Sequence, residues 1–432
     1  MLSRAGIILC MVENQSANDT PKSPLKRWYM LALLALAGAT IYTFPFLRYS
    51  YYEPLKDALG LTHTQMGVLQ SLNGILSTLG YIPGGWLADR YSARLLLSVS
   101  LVSTGLSGFY FAAFPSYIGA MFLYGFWGIS TLVIFWAPLI KATRELGNKE
   151  EQGKLFGLLE GGRGIWALLI GALTLIVFAR MGESQQGLMW VIVISAVITI
   201  VAGVAIWFLL EDSPVQPQSG TGIESIILAA KMPCTWIISI IIFCGYSLFA
   251  GQSYITPYMT EVLGTSLTLG ALMGLVRTYG LQTLGGLSAA FLSTKIGSPN
   301  RVIIYCFVVT SLCMSGFLLI PSTPPMLTLV TINMLIMGYA VYMIRGNYYA
   351  LVGESDMPIN ITGAIVGLSS FIGFLPEAFI YPLIGYWLDS YPGKTGYQIT
   401  FTYLLIISIV GLLTSLFLFR YNSRYNKRTI NG

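Results

Sequence analysis

Charge is what this sequence has least of. Of its 432 residues only 10% are Asp, Glu, Lys or Arg, where a water-facing domain carries roughly 25%, so a soluble globular protein is excluded. A single histidine, His63, leaves no histidine-based metal cluster. The five cysteines (Cys10, Cys234, Cys244, Cys306 and Cys313) show no paired spacing. All but Cys10 lie in or beside apolar runs, so they read as small packing residues rather than disulfides or metal ligands. No G-x-x-x-x-G-K-[ST] phosphate loop occurs, and no polar stretch is long enough to hold a nucleotide-binding domain. Neither a metal nor another cofactor is expected. Nor is an enzyme, because no nucleophile–base pair stands out.

Apolar residues fill the space. They make up 55% of the chain, with a mean hydropathy of +0.70. A spanning helix takes about 20 apolar residues, and twelve such runs fall at about 27–48, 64–88, 94–114, 117–142, 153–179, 187–210, 233–260, 267–293, 301–320, 326–351, 362–389 and 398–420. Membrane β-strands would alternate apolar with polar positions, and these runs do not. The longest break, "EDSPVQPQSGTGIES", is a linker by composition. The expected organisation is a cytoplasmic tail (1–26), a six-helix half (27–210), a linker (211–232), a second six-helix half (233–420) and a basic tail (421–432). The first residues lack the form of a signal peptide and read as a solvated tail, in which Met11 offers a second start.

Orientation follows from the cations. Of the 24 Lys and Arg, seventeen fall in tails and loops on the N-terminal side of the spans. Four (Arg48, Lys56, Arg180 and Lys394) fall on the other side. The positive-inside rule then places both termini in the cytoplasm. The formal charge of +6 is explained this way without nucleic acid. The halves also echo each other: "WLADRYS" (86–92) aligns with "FLSTKIG" (291–297), and "QGKLFGLLEGG" (152–162) with "TGAIVGLSSFI" (362–372). Equivalent positions in a six-plus-six plan make duplication the better reading.

Between the second and third spans stands "GGWLADRYSARLLL" (84–97). It resembles the signature of the major facilitator superfamily, G-x-L-A-D-R-x-G-R-[RK]-x-x-L, through Gly85, Leu87, Ala88, Asp89, Arg90, Arg94 and Leu97. Ser92 and Ala93 stand where that family usually has Gly and Arg. The resemblance implies an all-α membrane fold of twelve transmembrane helices in two pseudo-symmetric six-helix halves. It also implies a conformational latch at Gly85, Asp89, Arg90 and Arg94 that holds the outward-open arrangement. The Asp89 carboxylate would meet a helix N-terminus of the other half, with the arginines on that carboxylate or on lipid phosphate. Thr294 takes the Asp position of the second half, which weakens any second latch. The alternative is that these cations only anchor the loop. Segments 144–164 and 362–389 further resemble the YihN-like bacterial inner-membrane permeases, which implies a multi-pass permease of the cytoplasmic membrane.

Ionisable groups inside a span cost several kcal/mol unless a cavity or partner receives them. Those well inside are Arg163, Arg277, Arg345 and Glu377, with Glu160 one turn before Arg163; Arg48 reads as a residue snorkelling at a span end. Glu160 and Arg163 share one helix face and are read either as a structural pair or as part of the site. Gly153, Gly157 and Gly161 form a small-residue stripe suited to close helix packing. A guanidinium offers a planar fork of donors for carboxylate, phosphate or nitrate oxygens, so Arg163, Arg277 and Arg345 are the candidate substrate residues, with Tyr42, Asn73, Tyr254 and Tyr279 as polar handles. Their other reading is pairing with Glu160 and Glu377 or packing. Those two carboxylates are the candidates for coupling to a proton.

The fourth span has Met121 where the R-x-x-x-G motif of proton antiporters has Arg, ahead of Gly125. Leu72 stands opposite Arg277 where nitrate carriers pair arginines. The expected function is therefore alternating-access transport of a small, anionic organic solute across the cytoplasmic membrane. A proton or counter-anion is the possible co-substrate, and a monomer in the lipid bilayer is expected. The alternatives are a proton-coupled exporter of a cationic or amphipathic compound, working through Glu160 and Glu377, and a membrane receptor or scaffold that moves nothing.

Overall fold

The computed structural model describes residues 24–147, 151–211, 223–355, 357–358 and 361–430. Among them there is no strand, only helices joined by short turns. The first half contains α1 (Pro24–Thr40), the short α2 (Tyr52–Leu59), α3 (His63–Arg90) and α4 (Ala93–Ala112). It continues with α5 (Tyr117–Gly128), a π-helical turn (Ile129–Trp136), α6 (Ala137–Arg144), α7 (Gln152–Arg180) and α8 (Gln185–Leu209). A linker helix α9 (Ile223–Lys231) leads to α10 (Pro233–Gly251), which runs on through short turns to Val262. The second half continues with α11 (Leu267–Leu275), a π-helical turn (Val276–Gly280), α12 (Leu281–Ile296), α13 (Pro299–Leu319) and α14 (Leu327–Asn347). It ends with α15 (Ala350–Glu354), α16 (Thr362–Gly373), α17 (Pro376–Ser390) and α18 (Lys394–Ile430). Nine helical segments among the described residues are long and apolar enough to cross a membrane.

The helix starts are written in hydroxyls. Thr62 and Gln65 form a reciprocal capping box at α3. Ser92, Ser116, Ser184, Ser266 and Ser298 each accept a backbone N–H in the first turn of the helix that follows, satisfying a donor that has no intrahelical partner. Ser92 is the residue that replaces the signature glycine, and its cap on Leu95 N (3.2 Å) gives it a structural use.

The two described chain ends lie on one face, called proximal here: Arg27 pairs with Glu151 (2.9 Å) and Arg301 stacks under Phe419. On the opposite, distal face the two halves lock together. α3 runs against α17 so closely that a Cβ at Gly67 would strike the Tyr381 carbonyl and one at Gly385 the His63 carbonyl. Two carboxylates then cross the seam as caps. Asp389, at the end of α17, accepts from the backbone N of His63 (3.0 Å) and of Thr64 (2.7 Å) at the start of α3. Glu183, after α7, accepts from the backbone N of Leu267 (3.0 Å) and of Thr268 (3.1 Å) at the start of α11. Each puts a negative charge on the positive end of a helix from the other half. Glu183 holds a left-handed backbone (φ 57°), uncommon outside glycine.

The glycine stripe on α7 does not pack as expected. Nothing lies within 4 Å of a Cβ built at Gly157 or Gly161, while the Gly153 side falls outside the description. The close approaches are made by Gly162, against Ala35, by Gly164, against Thr283, and by Gly171, against Leu275.

Candidate functional site

A cavity of about 310 Å³ lies between the halves. The first half contributes Tyr42, Phe46, Tyr49, Asn73, Trp136, Glu160 and Arg163, among others. The second contributes Tyr246, Phe249, Tyr279, Gln282, Tyr342, Arg345 and Glu377. The Tyr49 and Tyr381 hydroxyls meet at 2.6 Å where the halves close above it.

Each half supplies one arginine mounted on aromatic rings. Arg163 comes from α7. Its guanidinium carbon lies 5.4 Å from the ring centre of Tyr42 and 5.3 Å from that of Trp136. Its Nε donates to the Gly38 carbonyl (3.1 Å), and a Cβ at Gly38 would come within 2.9 Å of that side chain. Glycine there leaves room for the arginine to lie across α1. Arg163 also pairs with Glu160 at 2.5 Å, whose side chain is 47% exposed. Arg345 comes from α14 and sits 3.9 Å from the ring centre of Phe249, with Tyr246 and Tyr342 at 5.7 and 5.8 Å. Such stacking is worth about 0.5–2 kcal/mol for a partly desolvated cation. The three rings cover the face of the guanidinium and not its edge, where the N–H donors are and where the Tyr348 hydroxyl comes within reach. Arg345 forms no ion pair with a carboxylate among the described residues, and its buried Nε has no hydrogen-bond partner.

Glu377, on α17, accepts from the Tyr246 hydroxyl (2.7 Å) and is 9% exposed. Asn73 lines the cavity while its amide donates to the Tyr124 carbonyl (3.2 Å). Tyr42 and Tyr279 also line it. Two expected residues do not. Arg277 is 1% exposed, with its two terminal nitrogens on the Tyr49 carbonyl (3.0 Å) and Thr256 Oγ1 (2.9 Å). It therefore ties α11–α12 to the end of the first span. Tyr254 is fully buried and donates to the Tyr381 carbonyl (2.7 Å). With Arg277 outside the wall, the cavity holds two arginines and two glutamates, an even charge count.

The snorkelling expected of Arg48 is not found. The residue is fully buried instead, its guanidinium about 5 Å from the ring centres of Tyr52, Tyr254 and Tyr381. The aromatic crowd around it, "YTFPFLRYSYY" (42–52), is the signal the sequence offers. In the signature loop Arg90 is exposed and Arg94 stacks on Trp207 (5.2 Å), while the side positions of Gly85 and Asp89 lie outside the description.

A family model described as Major Facilitator Superfamily matches residues 28–380. Inner membrane protein YqcE of Escherichia coli (strain K12) is 32% identical over 382 residues, covering 86% of this chain and 90% of that one. Inner membrane protein YihN of the same organism is 30% identical over 416 residues, covering 94% and 98%. Among solved structures, a mutant of the nucleoside transporter NupG superposes with a TM-score of 0.73 at 14% identity, covering 90% of this chain and 99% of that one.

Proposed function

The chain belongs to the Major Facilitator Superfamily, and from that premise we propose that it carries a small anionic organic solute across the inner membrane by alternating access. It is a transporter and not an enzyme. In this reading twelve spans form two halves, 27–210 and 233–420, with both termini in the cytoplasm, so the distal face is the outer one. The cavity then opens inward, consistent with the exposed Glu160 and the open space beside Gly157 and Gly161. The signature residues Gly85, Asp89, Arg90 and Arg94 are assigned to hold the opposite, outward-open state.

The observation that carries the anion is Arg345. A guanidinium in the cavity wall, stacked on three rings and paired with no carboxylate among the described residues, has donors to spare for a carboxylate or phosphate. Arg163 offers the matching group from the other half once Glu160 yields. The aromatic walls and the amides of Asn73 and Gln282 suit a hydroxylated carbon skeleton between them.

Counterflow in proteoliposomes tests this reading. Arg345→Gln should weaken uptake of the transported anion at least tenfold, about 1.4 kcal/mol, chiefly in KM. Unchanged uptake of every anion that the wild type carries refutes the assignment. The even charge count in the cavity favours one competitor, a proton-coupled exporter of a cation. That reading requires Glu377→Gln to abolish transport while Arg345→Gln leaves it intact.

A further inference from the structure

On the distal face, outside the cavity, three side chains drawn from both halves converge on one ammonium. Lys56 Nζ, on α2, lies 2.8 Å from Glu53 Oε2, 3.2 Å from Glu261 Oε1 and 3.2 Å from His63 Nε2. Glu261 and Tyr397 belong to the second half, and the Tyr397 hydroxyl donates to Glu261 Oε2 at 2.6 Å. His63 Nε2 is also 3.3 Å from Glu261 Oε1, and its Nδ1 meets the Tyr52 hydroxyl at 3.0 Å. A carboxylate oxygen of Glu53, a ring nitrogen of His63 and a carboxylate oxygen of Glu261 all fall within 4.8 Å of one another. The other charged groups of the neighbouring elements are Asp389, bonded to the backbone of His63 and Thr64, the buried Arg48, which stacks on Tyr52, and the exposed Asp57 and Lys394.

We propose that this cluster is a proton-operated clasp: closing the distal face brings Glu53 and Glu261 together and takes up a proton between them, and opening it sends that proton back to the medium. The geometry forces the exchange. Two carboxylates from opposite halves share one lysine, Glu53 is 8% exposed, and its second oxygen is buried without a hydrogen-bond partner. A second full negative charge there is costly. Burial first, and then the Glu261 carboxylate beside it, push Glu53 up to about 8, with Lys56 pulling the other way. In the open arrangement the halves part, Glu261 withdraws, and Glu53 returns to the ordinary carboxylate range.

The direction follows from linkage. The closed state binds the extra proton, so acid favours it, and its advantage is lost as pH rises through about 8. One such proton changes the closed-to-open ratio by up to about tenfold per pH unit between about pH 5 and about pH 8. The clasp does not depend on which solute the cavity takes, since nothing in it touches the lining residues used above.

Spin labels at the exposed distal positions Gln186 and Thr395, in a background without the native cysteines and reconstituted in nanodiscs, read the inter-half distance by double electron–electron resonance. The wild type should shift toward the longer, open distance as pH rises from 6 to 9. Glu53→Gln, which mimics the protonated carboxyl, should stay closed and flat across that range. Glu261→Gln, which removes the competing charge, should flatten the profile too. A wild-type distribution that ignores pH, or that opens in acid, overturns the clasp. So does either folded variant that keeps the wild-type slope.

Discussion

Four arginines lie within the apolar body of this protein, and the company each keeps separates their roles. Arg163 and Arg345 reach a shared cavity on aromatic platforms, Arg48 is walled in by three tyrosines, and Arg277 spends its donors on a backbone carbonyl and a hydroxyl. Arg277→Met should therefore leave KM for the transported solute within about twofold while raising thiol labelling of a distal-face cysteine at Gln186. Losing two charge-assisted bonds costs about 1.5–3 kcal/mol each at most, and that loss falls on distal closure. A large rise in KM with unchanged labelling would return Arg277 to the binding site. The sequence made all four look alike because an arginine in a span signals only that something must receive it. The receiver of Arg277 lies at the π-turn Val276–Gly280, whose extra residue per turn shifts the side-chain directions, with Arg277 inside the protein and Tyr279 in the cavity wall. A regular 3.6-residue period does not anticipate that.

Among elements, the pair of carboxylate caps governs how the halves meet. Glu183 and Asp389 stand 206 residues apart and cap helices that begin at Leu267 and His63, 204 residues apart, so the two crossed contacts share one spacing along the chain. Asp389→Asn should open the distal face by roughly 1 kcal/mol, about fivefold, in the same distance measurement, in keeping with an exposed carboxylate on a helix end. Glu183→Gln should act in the same direction and add to it, since the sites are far apart in the seam. Equal open fractions in wild type and double variant would show the caps to be passive. The all-helical membrane fold was legible because apolar length announces itself. Close packing was less so: a G-x-x-x-G-x-x-x-G stripe on α7 advertised an interface, yet Gly162, Gly164 and Gly171 make the contacts.

For the whole molecule, that unused stripe sits on α7 beside the cavity residues Glu160 and Arg163. Nothing lies within 4 Å of a Cβ at Gly157 or Gly161, while Gly171, toward the distal end of the same helix, packs on Leu275, which suits the proposed rocking, with a second set of contacts kept for the other posture. A bulky side chain there is accommodated in the distal-closed form and obstructs the alternative. Gly161→Leu should express and fold with thermal stability near wild type, bind solute from the proximal side, and lose at least tenfold in exchange. Normal exchange would mean that the proximal faces never approach.

In the proposed carrier the two ring-backed guanidinia are unequal: Arg163 already holds Glu160, while Arg345 holds no carboxylate among the described residues. A solute is then gripped first from the second half, and the first half takes hold only as Glu160 lets go.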